Sequence, residues 1–306
     1  MNIAVLSDIH GNATAFGQVI QYLETREIDA FCILGDYSGE FAGVQETLDL
    51  IYALQKKYPV YIVKGNKEDY LMWGLGGDHP EWNDYPSTVG MLRYAYDNMR
   101  EKDWEFIRTL PQTLSVKFEG MEGLFLCHGS PKEIKGKIKE ENENNEELLA
   151  DVEEKYVLCG HTHKRASFDT CGKHIFNPGA VGNPLDDGRH HCTSFLILHS
   201  DGKEWVGEYV YLEQDVDAMV QDMIDHELPK IAPYWAICNE AFFRGADNCN
   251  GKVLKRAMEI TEAETGECDW PAIPEKYWAK AFEEMIILGA PGVYKKMTLK
   301  AMEYNR

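Results

Sequence analysis

The apolar positions at the start of the chain alternate between two rhythms. Ile3-Ala4-Val5-Leu6 is a continuous apolar run, as expected of a strand covered on both faces. Over residues 13–24, Phe16, Val19, Ile20 and Leu23 recur at helical spacing, with Asn12 placed to cap the helix. A second run over 30–34, a helical face on Val44, Leu48, Ile51 and Leu54, and a third run over 60–63 repeat the alternation. Each run ends in polar residues: Ser7-Asp8-Ile9-His10-Gly11-Asn12, then Gly35-Asp36, then Gly65-Asn66. Ligands of α/β sheets bind at the carboxyl ends of strands, so these endings are the first candidate site residues.

Residues 68–108 read as mostly helical, interrupted by a Gly-, Asp- and Pro-rich loop over 74–86 and resuming on Val89, Leu92, Tyr96 and Met99. Strand-like runs return at 113–118 and 124–127, the second ending in His128-Gly129-Ser130-Pro131. The charged segment 130–155 reads as an exposed helix or flexible loop; its position between two candidate ligand loops makes a lid over the site the alternative. The apolar run 156–159 then leads into Gly160-His161-Thr162-His163. Asn177-Pro178-Gly179 is read as a tight turn, and runs at 193–199 and 205–211, joined through Asp201-Gly202, predict an antiparallel hairpin. From residue 213 the alternation stops. Helical patterns with Tyr234, Trp235, Phe242, Phe243, Trp270 and Trp278 follow, with no motif attached to chemistry. The chain therefore divides into an α/β domain over 1–212 and a mainly helical extension over 213–306. That extension is open to three uses: a cover for the core, a homo-oligomer contact or a substrate cap.

Composition narrows the function classes. With 44% hydrophobic and 27% charged residues, the 306-residue chain is an ordinary globular one, long enough to bury a real core. A formal charge of -20 disfavours a basic face for a nucleic-acid duplex. No apolar run approaches the roughly 20 residues of a membrane helix, and the first residues run directly into a strand, so a cytoplasmic location is expected. The eight cysteines contain no Cys-x-x-Cys pair, and Cys32, Cys127 and Cys159 lie inside strand-like runs, which predicts buried free thiols.

The strand ends together supply Asp8, His10, Asp36, Asn66, His128, His161 and His163. Oxygen and imidazole donors without thiolate suit manganese, iron, cobalt, nickel or zinc, with manganese favoured. Seven donors exceed what one tetrahedral ion takes and suit two ions sharing a carboxylate. Two ions about 3.5–4 Å apart lower the pKa of a bound water to near 7 and stabilise an in-line displacement at phosphorus, so phosphoester hydrolysis is the expected reaction class.

In their order, Asp8-x-His10, Gly35-Asp36, Gly65-Asn66, His128-Gly129 and Gly160-His161-x-His163 resemble the signature blocks of the calcineurin-like metallophosphoesterase superfamily. The resemblance covers roughly residues 1–211 and implies a four-layer α/β/β/α sandwich with the site at the sheet edge. It implies that Asp8, His10 and His163 bind a first metal, that Asn66, His128 and His161 bind a second, and that Asp36 bridges. A metal-bridging hydroxide would attack in line. His128-Gly129-Ser130-Pro131 and Asn177-Pro178-Gly179 are similar to the small bacterial and archaeal phosphodiesterase branch. Gly65-Asn66-Lys67-Glu68-Asp69 is similar to a subgroup that hydrolyses dinucleoside polyphosphates.

Two departures shape the expectation. Lys67 stands where many members have a histidine that assists the leaving group. Such help is worth on the order of 10²–10⁴ in rate; Lys67 is either its replacement or a solvated lysine. Gly35-Asp36-Tyr37 lacks the arginine of the Ser/Thr protein phosphatases, which argues against a phosphoprotein substrate. Asn12 and Arg165 are candidate substrate contacts, with helix capping and ordinary solvation as their alternatives. His79, His174, His190, His191, His199 and His226 lie outside the blocks and read as surface or packing residues. A small phosphoester or nucleotide is thus the expected partner, with no duplex and no membrane. The competing reading is a non-catalytic scaffold that binds a protein, as the retromer subunit with this fold does.

Overall fold

The computed structural model describes residues 1–74, 83–186, 189, 191–200 and 202–285. His79 and His190 lie outside them, as does most of the 74–86 loop. The chain forms two compact units. The first comprises 1–38, 43–70 and 99–214; the second comprises 39–42, 71–98 and 215–306.

The first unit is built on two five-stranded sheets. One holds β1 (Asn2–Leu6), β2 (Ala30–Ile33), β3 (Val60–Ile62), β9 (Cys192–Ser200) and β10 (Trp205–Glu213), in the order β10-β9-β1-β2-β3. The other holds β4 (Thr113–Val116), β5 (Leu124–Cys127), β6 (Tyr156–Leu158), β7 (Arg165–Thr170) and β8 (Lys173–Pro178), in the order β4-β5-β6-β8-β7. Strands β1, β2 and β3 run parallel, as do β5, β6 and β8, so the loops leaving each set emerge at one edge of its sheet. The expected hairpin is β9–β10, paired antiparallel from Trp205↔Ser200 to Glu213↔Cys192.

Alternation within the strands divides the core. Ile3, Val5, Cys32, Leu196 and Leu198 of the first sheet join Leu124, Leu126, Leu158 and Phe176 of the second in one dry cluster between the sheets. On the outer face of the first sheet lie α1 (Ala13–Glu24) and α2 (Val44–Lys57). The Tyr22 ring meets Phe195 at 5.7 Å, and Tyr58, which ends α2, meets Phe31 at 5.0 Å. The outer face of the second sheet is covered by the charged segment: Ile138, Leu149 and Val152 bury against Cys127, Val157, Phe168 and Ile175. Burying three apolar side chains is worth roughly 1.5–3 kcal/mol each, enough to hold an otherwise charged segment with its short helix α6 (Asn145–Leu149) on the sheet. These are the α/β/β/α layers of a metallophosphoesterase sandwich.

The remaining helices are α3 (Asn66–Gly74), α4 (Pro86–Asn98), α5 (Glu101–Thr109), α7 (Val216–Asp225), α8 (Leu228–Ile231), α9 (Pro233–Phe243), α10 (Asn250–Thr265) and α11 (Glu275–Met285). Within the second unit α9 is buried on nearly all sides, the pattern of a central helix. Glu275 of α11 accepts from the backbone N–H (3.0 Å) and the hydroxyl (2.6 Å) of Ser87 at the start of α4, and Trp278 Nε1 donates to Thr88 Oγ1 at 2.9 Å. The C-terminal helices expected from the sequence are therefore present. The described cysteines are free, six of them buried. Among the described residues no helix is long and apolar enough to cross a membrane.

Candidate metal centre

Backbone bonds lace the loops at the sheet edge together. Asp8 N–H donates to Gly35 O (3.1 Å), His10 N–H to Asp36 O (2.9 Å), Gly160 N–H to His128 O (2.7 Å) and Gly182 N–H to Asp8 O (2.9 Å). The loops approach closely enough to require glycine. A Cβ on Gly35, which sits at φ +97°, would lie 2.5 Å from Gly65 N, and one on Gly65 or Gly160 would overlap Asp36 Oδ1 or Ser7 Oγ. Asp8, His10, Asp36, His161 and His163 all take positive φ, between 54° and 65°. Such conformations cost of order 1–3 kcal/mol each and persist where surrounding structure enforces them. Here the strain aims side chains inward.

The structure brings the predicted donors together. Ligand atoms of Asp8, His10 and His163 lie within 4.8 Å of one another, as do those of Asp8, Asp36 and His128. Asn66 Oδ1 is 3.1 Å from His128 Nε2, and the His161 ring packs edge-on against His128 at 5.1 Å while the His161 backbone N–H donates to Asp8 Oδ2 at 3.0 Å. Asp36 Oδ2 lies 3.8 Å from His10 Nε2 and 3.5 Å from His128 Nε2.

Backbone carbonyls orient two of the imidazoles. His128 Nδ1 is 2.7 Å from Leu34 O and His163 Nδ1 is 2.6 Å from Asn183 O. A carbonyl accepts, so in each neutral ring Nδ1 carries the proton and Nε2 presents a lone pair to the centre. With the rings neutral, as metal ligands must be, lone pairs and carboxylate oxygens face one another across the centre. His10 Nε2 and His163 Nε2 stand 3.0 Å apart, His163 Nε2 is 3.2 Å from Asp8 Oδ1, and that oxygen is buried without a hydrogen-bond donor. Divalent cations are what such a donor set accommodates, so the residues present fit a metal.

The electrostatics agree. Burial opposes ionisation of Asp8 and Asp36, but the neighbouring imidazoles, His163 and His128 for Asp8, His128 and His10 for Asp36, hold both carboxyls well below the usual range; the Lys67 charge adds to this at Asp36. Burial works against charge on His128, yet Asp36 and Asp8 push its pKa up to about 10. His161 moves down to about 4 through burial and the positive field of His128, leaving a free lone pair at neutral pH.

The other predicted residues have defined surroundings. The Lys67 backbone N–H donates to Asp36 Oδ1 at 2.8 Å. Asn12 caps α1, its Oδ1 accepting from Ala15 N–H at 3.1 Å, and its Nδ2 donates to Gly182 O and Gln214 Oε1, both at 3.0 Å. The Arg165 guanidinium donates to Asp186 at 3.0 Å and lies over the Tyr211 ring at 4.2 Å. His174, His199 and His226 pair with Asp169, Glu208 and Asp222 away from the centre.

Three supporting residues were not assigned to the site in the sequence reading, Asn177 having been read as part of a tight turn whereas it lies at the end of β8. Ser7 Oγ donates to Asp8 Oδ2 at 2.6 Å. Asn177 Nδ2 donates to Gly160 O (2.8 Å) and Thr162 Oγ1 (3.1 Å), steadying the His161–His163 loop. Glu68, fully buried, accepts from three backbone N–H groups. Their signal is adjacency: each polar residue sits beside or opposite a ligand motif inside a buried stretch.

A parallel-edged two-sheet sandwich carrying a buried carboxylate–imidazole centre defines the class of metal-binding phosphoesterase folds. Residues 1–203 match the calcineurin-like phosphoesterase superfamily domain, and the chain belongs to that superfamily. It is 26% identical over 247 residues to an uncharacterised protein of Methanocaldococcus jannaschii, a match covering 74% of this chain and 94% of that one. The fold is similar to that of a hypothetical protein from Pyrococcus horikoshii OT3 (TM-score 0.66, 22% identity, 76% of this chain and 97% of that one). It is also similar to a metallophosphoesterase from Sphaerobacter thermophilus (TM-score 0.60, 20% identity, 78% of this chain and all of that one).

Proposed function

We propose that this chain is a dinuclear-metal-dependent phosphoesterase that hydrolyses a phosphodiester or a nucleotide pyrophosphate bond, with manganese the favoured ion. The observation that carries the reading is the convergence of three imidazole Nε2 atoms on two buried carboxylates, at 3.2–3.9 Å. Asp8, His10 and His163 would hold one ion, Asn66, His128 and His161 the other, with Asp36 shared. When bound, such a pair supplies Lewis-acid chemistry, lowering the pKa of water to near 7 and stabilising the oxygens of an in-line displacement.

The chain's own residues prepare that chemistry. Ser7 Oγ and the His161 N–H both donate to Asp8 Oδ2. Asp8 Oδ1 is thereby left to face the centre. Lys67, tied by its backbone to Asp36, would bring an ammonium to a phosphate oxygen or to the leaving oxygen in place of a histidine. A lysine ammonium at neutral pH is a weaker proton donor than an imidazolium. Bonds with good leaving groups, anhydrides above all, are the substrates that suit it. Asn12 and Arg165 remain proposed substrate contacts; their present bonds to Gly182, Gln214 and Asp186 would have to be shared with the substrate.

The test is hydrolysis of a chromogenic phosphodiester and of a dinucleoside polyphosphate in added manganese, with product analysis. Chelator-sensitive turnover supports the reading, and release of a nucleoside monophosphate selects the pyrophosphate substrate. A chain that holds metal and hydrolyses neither these nor monoesters would instead be the scaffold, a reading that Lys67 in place of histidine favours.

A further inference from the structure

Glu68 is a carboxyl side chain with no solvent exposure and, among the described residues, no cationic hydrogen-bond partner. Its Oε2 accepts from Asp36 N–H at 2.9 Å and from Gly65 N–H at 2.7 Å, and its Oε1 accepts from Tyr37 N–H at 2.9 Å. One carboxylate therefore gathers the backbone of both loops that carry Asp36 and Asn66. Those loops meet where Gly35 and Gly65 leave no room for a side chain. Two further bonds close the arrangement: Lys67 N–H donates to Asp36 Oδ1 at 2.8 Å, and the Tyr37 hydroxyl donates to Val63 O at the end of β3.

Burial and the nearby Asp36 charge push the Glu68 carboxyl pKa up, and the three backbone N–H bonds oppose that shift, so the carboxyl group is held in a buried place only while all three are kept. A hydrophobic residue would fill the volume more cheaply, so the carboxylate answers to the loops rather than to the core.

From this geometry we infer that Glu68 is the positioning residue that sets the separation of Asp36 and Asn66, and so the affinity of the ion they share with His128 and His161. This rests on the dinuclear reading above. Glu68 touches neither metal nor substrate; it acts through the backbone of the residues that do. Substitution by glutamine keeps length and one carbonyl. That oxygen can serve Asp36 and Gly65, but the amide NH₂ then opposes the Tyr37 N–H, donor against donor. Outer supports of this kind change metal affinity by about 10–100-fold.

The experiment is titration of the full-length chain with Mn²⁺, followed by calorimetry and by elemental analysis after equilibrium dialysis, for wild type, Glu68→Gln, Glu68→Asp and Asn66→Ala. The inference predicts that Glu68→Gln keeps the wild-type far-UV spectrum and weakens the second ion about 10–100-fold, as Asn66→Ala does, while the ion of Asp8, His10 and His163, which shares only Asp36 with these loops, weakens clearly less. Glu68→Asp, which keeps two acceptor oxygens, recovers part of the loss. Should Glu68→Gln fail to fold, Glu68→Asp alone must show the selective weakening, and wild-type affinity in that variant overturns the inference. Equal weakening of both ions, in step with a general loss of stability, assigns Glu68 an ordinary structural role and overturns it too. Wild-type protein that binds no ion pair overturns the dinuclear reading itself, and that outcome is visible before any variant is made.

Discussion

At the residue scale, the centre gathers three imidazole Nε2 atoms around two buried carboxylates at 3.2–3.9 Å, as donors for the proposed pair of metal ions. Asp36 is the residue on which both positions depend. Asp36→Asn is expected to empty both at micromolar manganese, whereas Lys67→Ala keeps two ions and loses about 10²-fold in kcat on diesters with poor leaving groups. Elemental analysis beside steady-state kinetics separates the two effects. Metal uptake is also expected to be proton-linked. Without a metal, Asp36 and Asp8 hold a proton on His128 up to a pKa of about 10, against the opposing effect of burial. A metal must displace that proton. At pH 7.5 about one proton should leave His128 on loading, and affinity should rise as the pH rises toward 10. Calorimetry in two buffers of different ionisation enthalpy reads this directly; a binding enthalpy indifferent to the buffer would rule it out. All seven proposed ligands were legible in the sequence because each lies within a few residues of the end of an apolar run. Ser7, Glu68 and Asn177 were not assigned to the site, because they act through backbone groups and hydroxyls that only the folded loops bring near.

At the scale of elements, the strand–helix alternation gave β1 to β3, α1 and α2 from periodicity alone, since buried parallel strands read as unbroken apolar runs. The β7–β8 hairpin escaped that reading. Its strands carry Arg165, Ser167, Asp169, Lys173 and His174 among few apolar residues, and its turn is Cys171-Gly172 at φ 50° and 74° rather than an Asn-Gly or Asp-Gly pair. Segment 130–155 was ambiguous for the opposite reason: its charge hides the three apolar residues that fasten it to the sheet.

The start of α5 offers an element-level test. Asp103, with no solvent exposure, takes charged bonds from Arg100 and a bond from the Tyr52 hydroxyl at 2.8 Å. Arg100→Ala removes the charged partner of a buried carboxylate, and should cost about 2 kcal/mol, below the 3–5 of fully buried pairs because water reaches Arg100. Although burial raises the Asp103 pKa, the Arg100 bond more than offsets it and the net shift is downward. That contribution is therefore present above the unfolded carboxylate pKa near 4 and fades as pH falls through the folded value. Urea midpoints of wild type and variant should accordingly converge in acid; a gap that stays constant from pH 7 to pH 3 would refute the assignment.

For the whole molecule, the sequence was divided once, at 212/213, whereas the chain passes between its compact units at 38/39, 42/43, 70/71, 98/99 and 214/215. The second unit also takes in 39–42 and 71–98, a long-range association that periodicity does not reveal. Every proposed metal donor belongs to the first unit. Ions that bind only the folded centre stabilise it by about 2.7 kcal/mol at one hundred times Kd. A shift of roughly 2–4 °C per kcal/mol follows for a unit of this size. Chelation of the loaded protein should thus lower Tm by about 5–10 °C, read by calorimetry, and an unchanged Tm would mean that no ion is held by the native centre.

The measurement that tests the central claim most directly is the metal content of the purified chain, determined by elemental analysis after reconstitution in manganese and removal of free ion. The account predicts about two ions per chain in the wild type and near none in Asp36→Asn. One ion per chain, no ion, or a full complement in Asp36→Asn would contradict a dinuclear centre with a shared carboxylate.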